Sequence, residues 1–202
     1  TNATVNGTLT VQSGTFLASN KILFTNENIS VSNGGTLFLE NGAILRVKGN
    51  KALSIASGGT LKAIGTSVSK PIITNNASSG YHEFHVYGTI SARNAIFEYN
   101  YGINIWSTAT VDPANPFDQC TFSYGVDRFL LFSNNQELMI RGANFPTVPL
   151  YENVWKNNNS GRVNFRDATG AYAGATFELD PYNRIDWTTT QPGLWTGAVS
   201  TD

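Results

Sequence analysis

Two short phrases concentrate side chains able to touch a ligand, "YHEFHVY" (81–87) and "NAIFEYNYGINIW" (94–106). If Phe84, Val86, Phe97, Tyr99, Ile103 and Ile105 point inward on strands, then Tyr87, Glu98, Asn104 and Trp106 project outward, because side chains alternate along a strand. With His85 beside Tyr87 and Trp106, these five residues form a candidate carbohydrate face. Exposed rings stack on the apolar side of a sugar, while amides and carboxylates hydrogen-bond its hydroxyls. The simpler reading is that a long turn covers the same aromatics. His82 and His85 fall on opposite sides of their strand, one inside and one at the surface, so they do not chelate one metal together. No third ligand stands at metal spacing, and neither a metal nor a cofactor is expected.

The elements that must hold these groups are short and regular. From Thr1 to Gly65 the chain reads as runs of six or seven residues with period-two apolar spacing, such as "GTLFLEN" (35–41) and "AILRVKG" (43–49). No helical periodicity appears. In "GTLFLEN", Leu37 and Leu39 face inward while Thr36, Phe38 and Glu40 face outward. Gly-Thr-apolar recurs at Gly7, Gly14, Gly35, Gly59 and Gly88, and from Gly14 the steps are 21, 24 and 29 residues. Steps of that size hold three short strands and three turns. A return to one signature every third strand marks a solenoid, in which each turn buries its apolar edge on the next. The expected fold is all-β, a single-stranded right-handed parallel β-helix with three short strands per coil. About seven coils at about 4.8 Å spacing would make a rod on the order of 35 Å long.

The rhythm predicts that Gly34-Gly35 and Gly58-Gly59 turn the same corner one coil apart, with Leu37 stacked on Leu61. Thr8, Thr15, Thr36, Thr60 and Thr89 would then form an outward ladder. The residues two places on are Thr10, Leu17, Phe38, Lys62 and Ser91. A flat two-column threonine surface of the ice-binding kind is therefore missing, and the ladder reads as scaffold on a solvated face. In the second half the runs are longer and rich in Phe and Tyr, which predicts an aromatic core. After Phe145 the pattern weakens, and "PTVPLYENVWKNNNSG" (146–161) reads as a loop. The β-helix domain is expected over 1–190, with an irregular C-terminal cap from about 146 and closing strands in "GRVNFRD", "ATFELD" and "NRIDWT". Residues 191–202, with "PGLWTGAVSTD" at their end, read as a linker or the start of a following module.

The phrases "GTLTVQSGTF", "GGTLFLENGAILRV" and "GGTLKAIGTSVSKPIITNN", followed by "EYNYGINI", resemble the β-helix segments of large secreted or cell-surface proteins of Bacteroidetes-type bacteria. The tail "LWTGAVSTD" is similar to the opening of a following repeat module in such proteins. The resemblance covers residues 7–106 and 192–202. It implies an extracellular or cell-surface location and a larger multidomain parent, and it carries no activity. Parallel β-helices also host polysaccharide lyases and hydrolases. The polygalacturonase-like signatures (Asp-Asp, Gly-His-Gly, Arg-x-Lys) are missing, and the seven Asp are too dispersed for a lyase calcium site. Glu83 with Glu98, or Asp167 with Glu178, would be the carboxylate pairs to test for glycoside hydrolysis.

Composition narrows the classes further. Charged residues make up 13%, while the chain carries 23 Asn and 22 Thr, a balance that suits strands and tight turns. The net charge of −1 and scattered Lys and Arg argue against electrostatic binding to nucleic acid or anionic lipid, so no nucleic-acid partner is expected. Cys120 is alone and reads as a small buried apolar residue, and no apolar run is long enough for membrane insertion. The leading expectation is a non-catalytic extracellular module acting as rigid spacer or adhesion domain. The alternative is a carbohydrate-binding or polysaccharide-degrading β-helix, with a polysaccharide or host-cell glycan as partner.

Overall fold

A computed structural model describes residues 2–76 and 80–189. The expected module start in 191–202 lies outside the described residues. The chain winds as a parallel β-helix whose strands stack on three faces. The first face stacks Ala3–Val5, Ile22–Thr25, Ile44–Val47, Ile72–Asn75, Ile96–Glu98 and Thr121–Ser123. The second runs the full length, with eight strands: Leu9–Val11, Ile29–Val31, Ala52–Ile55, His82–Val86, Asn100–Ile105, Leu130–Phe132, Val154–Lys156 and Glu178–Leu179. The third stacks Gly14–Ser19, Gly35–Glu40, Thr60–Ile64, Thr89–Arg93 and Thr110–Asp118, and continues in Glu137–Arg141, Arg162–Arg166 and Ile185–Thr188. Among the described residues every strand pair is parallel, and the eight rungs of the second face mark about eight coils, one more than the spacing predicts.

The glycine signature has a steric cause. Gly34 and Gly58 turn the second-to-third corner with φ of 77° and 76°, a region that costs a residue with a Cβ. The glycines after them are set by crowding: a Cβ on Gly35 would lie 2.2 Å from the Val11 carbonyl oxygen, and one on Gly59 2.3 Å from that of Val31. Each corner thus sits directly on the backbone of the coil before it. Leu37 pairs with Leu61 in register and both are fully buried. Thr36 pairs with Thr60 beside them. The threonine column runs Thr15, Thr36, Thr60, Thr89, Thr110. Thr8 is not in it, because it precedes a second-face strand, and Thr110 completes the column without a glycine before it.

The asparagine content is explained at the third-to-first corner. Asn20, Asn41 and Asn94 turn it in the left-handed region, and Gln119, Gly142 and Asp167 do so in later coils. Asn tolerates that conformation better than most residues. Other asparagines tie coil to coil: the Ala52 amide donates to Asn28 Oδ1 at 3.0 Å, and Asn26 Nδ2 to Asn6 Oδ1 at 2.9 Å.

The core changes character along the rod. On the first face the inward column is Leu23, Leu45, Ile73, Phe97, Phe122. Phe122 then stacks on Phe145 with centroids 5.4 Å apart, and Phe165 stacks on Trp187 at 4.2 Å. The aromatic core expected for the second half is present. The stretch 146–161 is not all loop: Val154–Lys156 pairs with Leu130–Phe132 and carries the second face onward. Arg162–Arg166, Glu178–Leu179 and Ile185–Thr188 are regular rungs of the same helix.

Candidate functional site

Four of the five expected site residues converge. Val86 and Ile105 pair on the second face, and the residues after them, Tyr87 and Trp106, turn outward at the second-to-third corner. The Tyr87 amide donates to the Ile55 carbonyl and the Trp106 amide to the Val86 carbonyl, which fixes both in one column along the rod. Their rings stack with centroids 5.5 Å apart and planes 4° from parallel. His85 closes the cluster at 6.3 Å from Tyr87 and 6.2 Å from Trp106. Asn104 pairs with His85 across the coils. Its Nδ2 points back toward the Phe84 and Gly102 carbonyls, both at 3.4 Å, so the amide group helps hold the sheet.

Tyr87 and Trp106 remain 40% and 37% exposed, so no turn covers them. Because they stack on each other, each offers one outer ring face and an edge. The neighbours in that column are Ala56 on one side and Ser133 on the other, both small. His85 Nε2 lies 3.0 Å from Glu83 Oε2, an exposed pair of little energetic weight. Among the described residues His85 Nδ1 is buried without a partner.

Glu98 is elsewhere. It ends a first-face strand, and the chain then turns at Tyr99, whose φ is 54°. Tyr99 therefore points outward rather than into the core, stacking on Tyr124 at 5.1 Å. Tyr81 touches Tyr99 and Tyr101 at 6.3 and 5.8 Å, and a one-residue bulge between Asn100 and Ile103 pushes Tyr101 out. Beside this tyrosine cluster lies a groove of about 570 Å³, lined by Arg46, Thr74, Glu98, Tyr81 and Tyr99 over Ile44 and Ile72. The sequence reading missed it. The available signal was the repeat of "FEY" (97–99) in "FSY" (122–124), one coil apart.

Most acidic side chains serve as ties. Asp112 accepts Ser91 Oγ at 2.6 Å and the Ala114 amide at 2.9 Å, and the Ser91 bond holds its carboxyl below the usual range. Asp186 pairs with Arg162 at 2.6 Å. Glu83 and Glu98 stand on different faces and do not meet, and Glu178 accepts the Trp187 indole N–H. Asp167 turns the third-to-first corner while Glu178 lies on the second face.

His82 is enclosed in the core, and burial pulls its pKa down to about 4, opposed only by the Tyr99 backbone. Neither of its ring nitrogens makes a hydrogen bond of ordinary geometry. Cys120 is buried and burial pushes its thiol up to about 12, so it is inert as a nucleophile. Among the described residues no group of three His, Cys, Asp or Glu is arranged to hold a metal, and no helix is long and apolar enough to cross a membrane.

Fold and surface together define a parallel β-solenoid with aromatic clusters at two of its corners. The chain matches no family model, and comparison with curated proteins and with solved structures finds no match.

Proposed function

We propose that this chain is a non-catalytic, rigid β-solenoid module of a secreted or cell-surface protein, acting as spacer and adhesion element. The observation that carries this reading is the unbroken second-face ladder of eight parallel rungs around one continuous core. Backbone bonds join each coil to the next, and at Gly35 and Gly59 the corner lies so close on the preceding coil that a Cβ would not fit. In such a solenoid each coil contacts only its neighbours, which suits an element that holds its two ends apart. The commitment of its carboxylates to structural bonds supports a role without catalysis. The likeness of its Gly-Thr-Leu phrases to bacterial surface β-helix segments is the ground for the extracellular reading. Antibody labelling of intact, unpermeabilised source cells tests it: surface signal is expected, and signal only after permeabilisation overturns the location.

A second reading, carbohydrate contact at the second-to-third corner, is favoured by the Tyr87–Trp106 stack with its small neighbours. A glycan array probed with the native chain and Trp106→Ala tests it, and loss of a specific signal in the variant is the expected result. Release of reducing ends from any array polysaccharide would instead make the module an enzyme.

A further inference from the structure

We propose that the first-face groove binds an oligosaccharide chain bearing carboxylates, laid along the rod, with Arg46 holding a carboxylate and Tyr99 and Tyr124 providing the stacking surface. The inference concerns a different corner from His85, Tyr87 and Trp106 and does not rest on either reading above.

The groove repeats with the coils. Its floor belongs to an outward isoleucine column, Ile22, Ile44, Ile72 and Ile96, paired rung by rung at about 4.8 Å. The adjacent column carries Phe24, Arg46 and Thr74, paired in register, and Glu98 lies one coil further on. A surface that repeats an apolar strip beside polar groups suits a linear polymer that repeats an apolar ring face beside hydroxyls.

Arg46 supplies the charge preference. Among the described residues its guanidinium makes no ion pair and no hydrogen bond, and its Nε is buried without an acceptor. The guanidinium carbon lies 5.6 Å from the centroid of the Phe24 ring, which orients it. A desolvated donor without an acceptor is costly, and a carboxylate satisfies it with two parallel bonds. Glu98 and Thr74 offer acceptors for sugar hydroxyls; Glu98 Oε1 accepts only a long 3.4 Å bond from Ser123. At the corner, Tyr99 and Tyr124 lie 12° from parallel and form an extended aromatic edge, with Tyr124 50% exposed. Sugar rings stack on such surfaces, and the phenol hydroxyls add polar contacts.

The test is isothermal titration calorimetry of the intact chain with alginate, hyaluronan and oligogalacturonate oligomers, each beside its carboxyl-reduced neutral form. Binding to at least one acidic oligomer is expected, weakened roughly tenfold by carboxyl reduction and by Arg46→Gln, the loss of one charge-assisted contact. Arg46→Lys should fall between, since it keeps the charge and loses the fork. Trp106→Ala should bind like the native chain. Thermal melts of each variant separate a lost contact from a lost fold, and Tyr124→Ala, which removes half of the Tyr99–Tyr124 surface, provides a second variant expected to weaken binding. No binding to any acidic oligomer, or equal binding to the reduced forms, overturns the proposal. Binding lost in Trp106→Ala but kept in Arg46→Gln also overturns it and moves the contact to the other corner.

Discussion

The coils up to Ile64 and those from His82 onward share one backbone ladder and differ in almost everything attached to it. The earlier coils are built from Leu, Ile and Val, turn at Gly-Gly pairs, and keep strict register from Gly35–Glu40 to Thr60–Ile64. The later coils bury Phe on Phe, break register at Asn100–Ile103 and between Val111 and Pro116, and raise aromatic side chains at two corners. The rod tolerates both because the parallel rungs depend on main-chain bonds, while side chains are chosen coil by coil. A departure from regular register raises the tyrosine corner, whereas Arg46 and its isoleucine floor sit on strands that keep strict register.

The sharpest way to break this contrast is at a scaffold corner. In Gly59→Ala the new Cβ falls 2.3 Å from the Val31 carbonyl oxygen, a backbone atom that cannot step aside. The expected cost is about 3 kcal/mol or more, read as a lower midpoint in denaturant unfolding. Gly7→Ala is the control, since no heavy atom lies within 4 Å of its Cβ position. It should stay within about 0.5 kcal/mol. Equal effects at both positions would remove the steric account of the Gly-Thr signature.

That signature was also the most legible part of the sequence. Gly35, Leu37 and their partners one coil on are fixed by short-range rules, a corner that excludes a Cβ and an alternation of period two. The later coils were harder for identifiable reasons. "NAIFEYNYGINIW" reads as one alternating run, yet it crosses a corner: Tyr99 takes a left-handed conformation, so Glu98 stays on one face and Asn104 and Trp106 occupy the next. Alternation counted through Tyr99 therefore turned its ring inward and joined Glu98 to a cluster it does not reach. Val154–Lys156 is three residues long between Pro and Asn, too short for any periodicity, and only its pairing with Leu130–Phe132 identifies it. Arg46 carried no sequence signal, because its isolation depends on which side chains other coils place beside it.

At the boundary between the two regions sits His82, and its titration probes how tightly the later coils close. Its folded pKa is about 4, against about 6.5 in the unfolded chain, so the unfolded state binds more protons between those values. The sign follows: stability from this group is unchanged above about pH 6.5 and declines as pH falls toward 4. The full loss is about 3 kcal/mol for a shift of this size. Denaturant midpoints measured from pH 7 to pH 4 should show it, and His82→Leu should flatten that segment of the profile. A profile identical in the variant would mean the imidazole reaches solvent and the core is open there.

The smallest effect belongs to the exposed aromatics, and it separates surface chemistry from scaffold. Trp106→Ala removes the stack on Tyr87 from a corner whose backbone bonds, Trp106 amide to Val86 and Ala109 amide to Trp106, do not need the side chain. An aromatic pair of this geometry contributes about 0.5–1.5 kcal/mol beyond its buried area. The melting temperature should therefore drop only slightly, far less than for Gly59→Ala, even though Trp106→Ala removes a whole indole and Gly59→Ala adds one methyl group. A large drop would show that the Tyr87–Trp106 stack acts as a structural clamp between coils, and its exposed faces would then lose their standing as a contact surface. A small drop leaves two exposed rings that the fold does not require, free to serve as the contact surface that the glycan array tests.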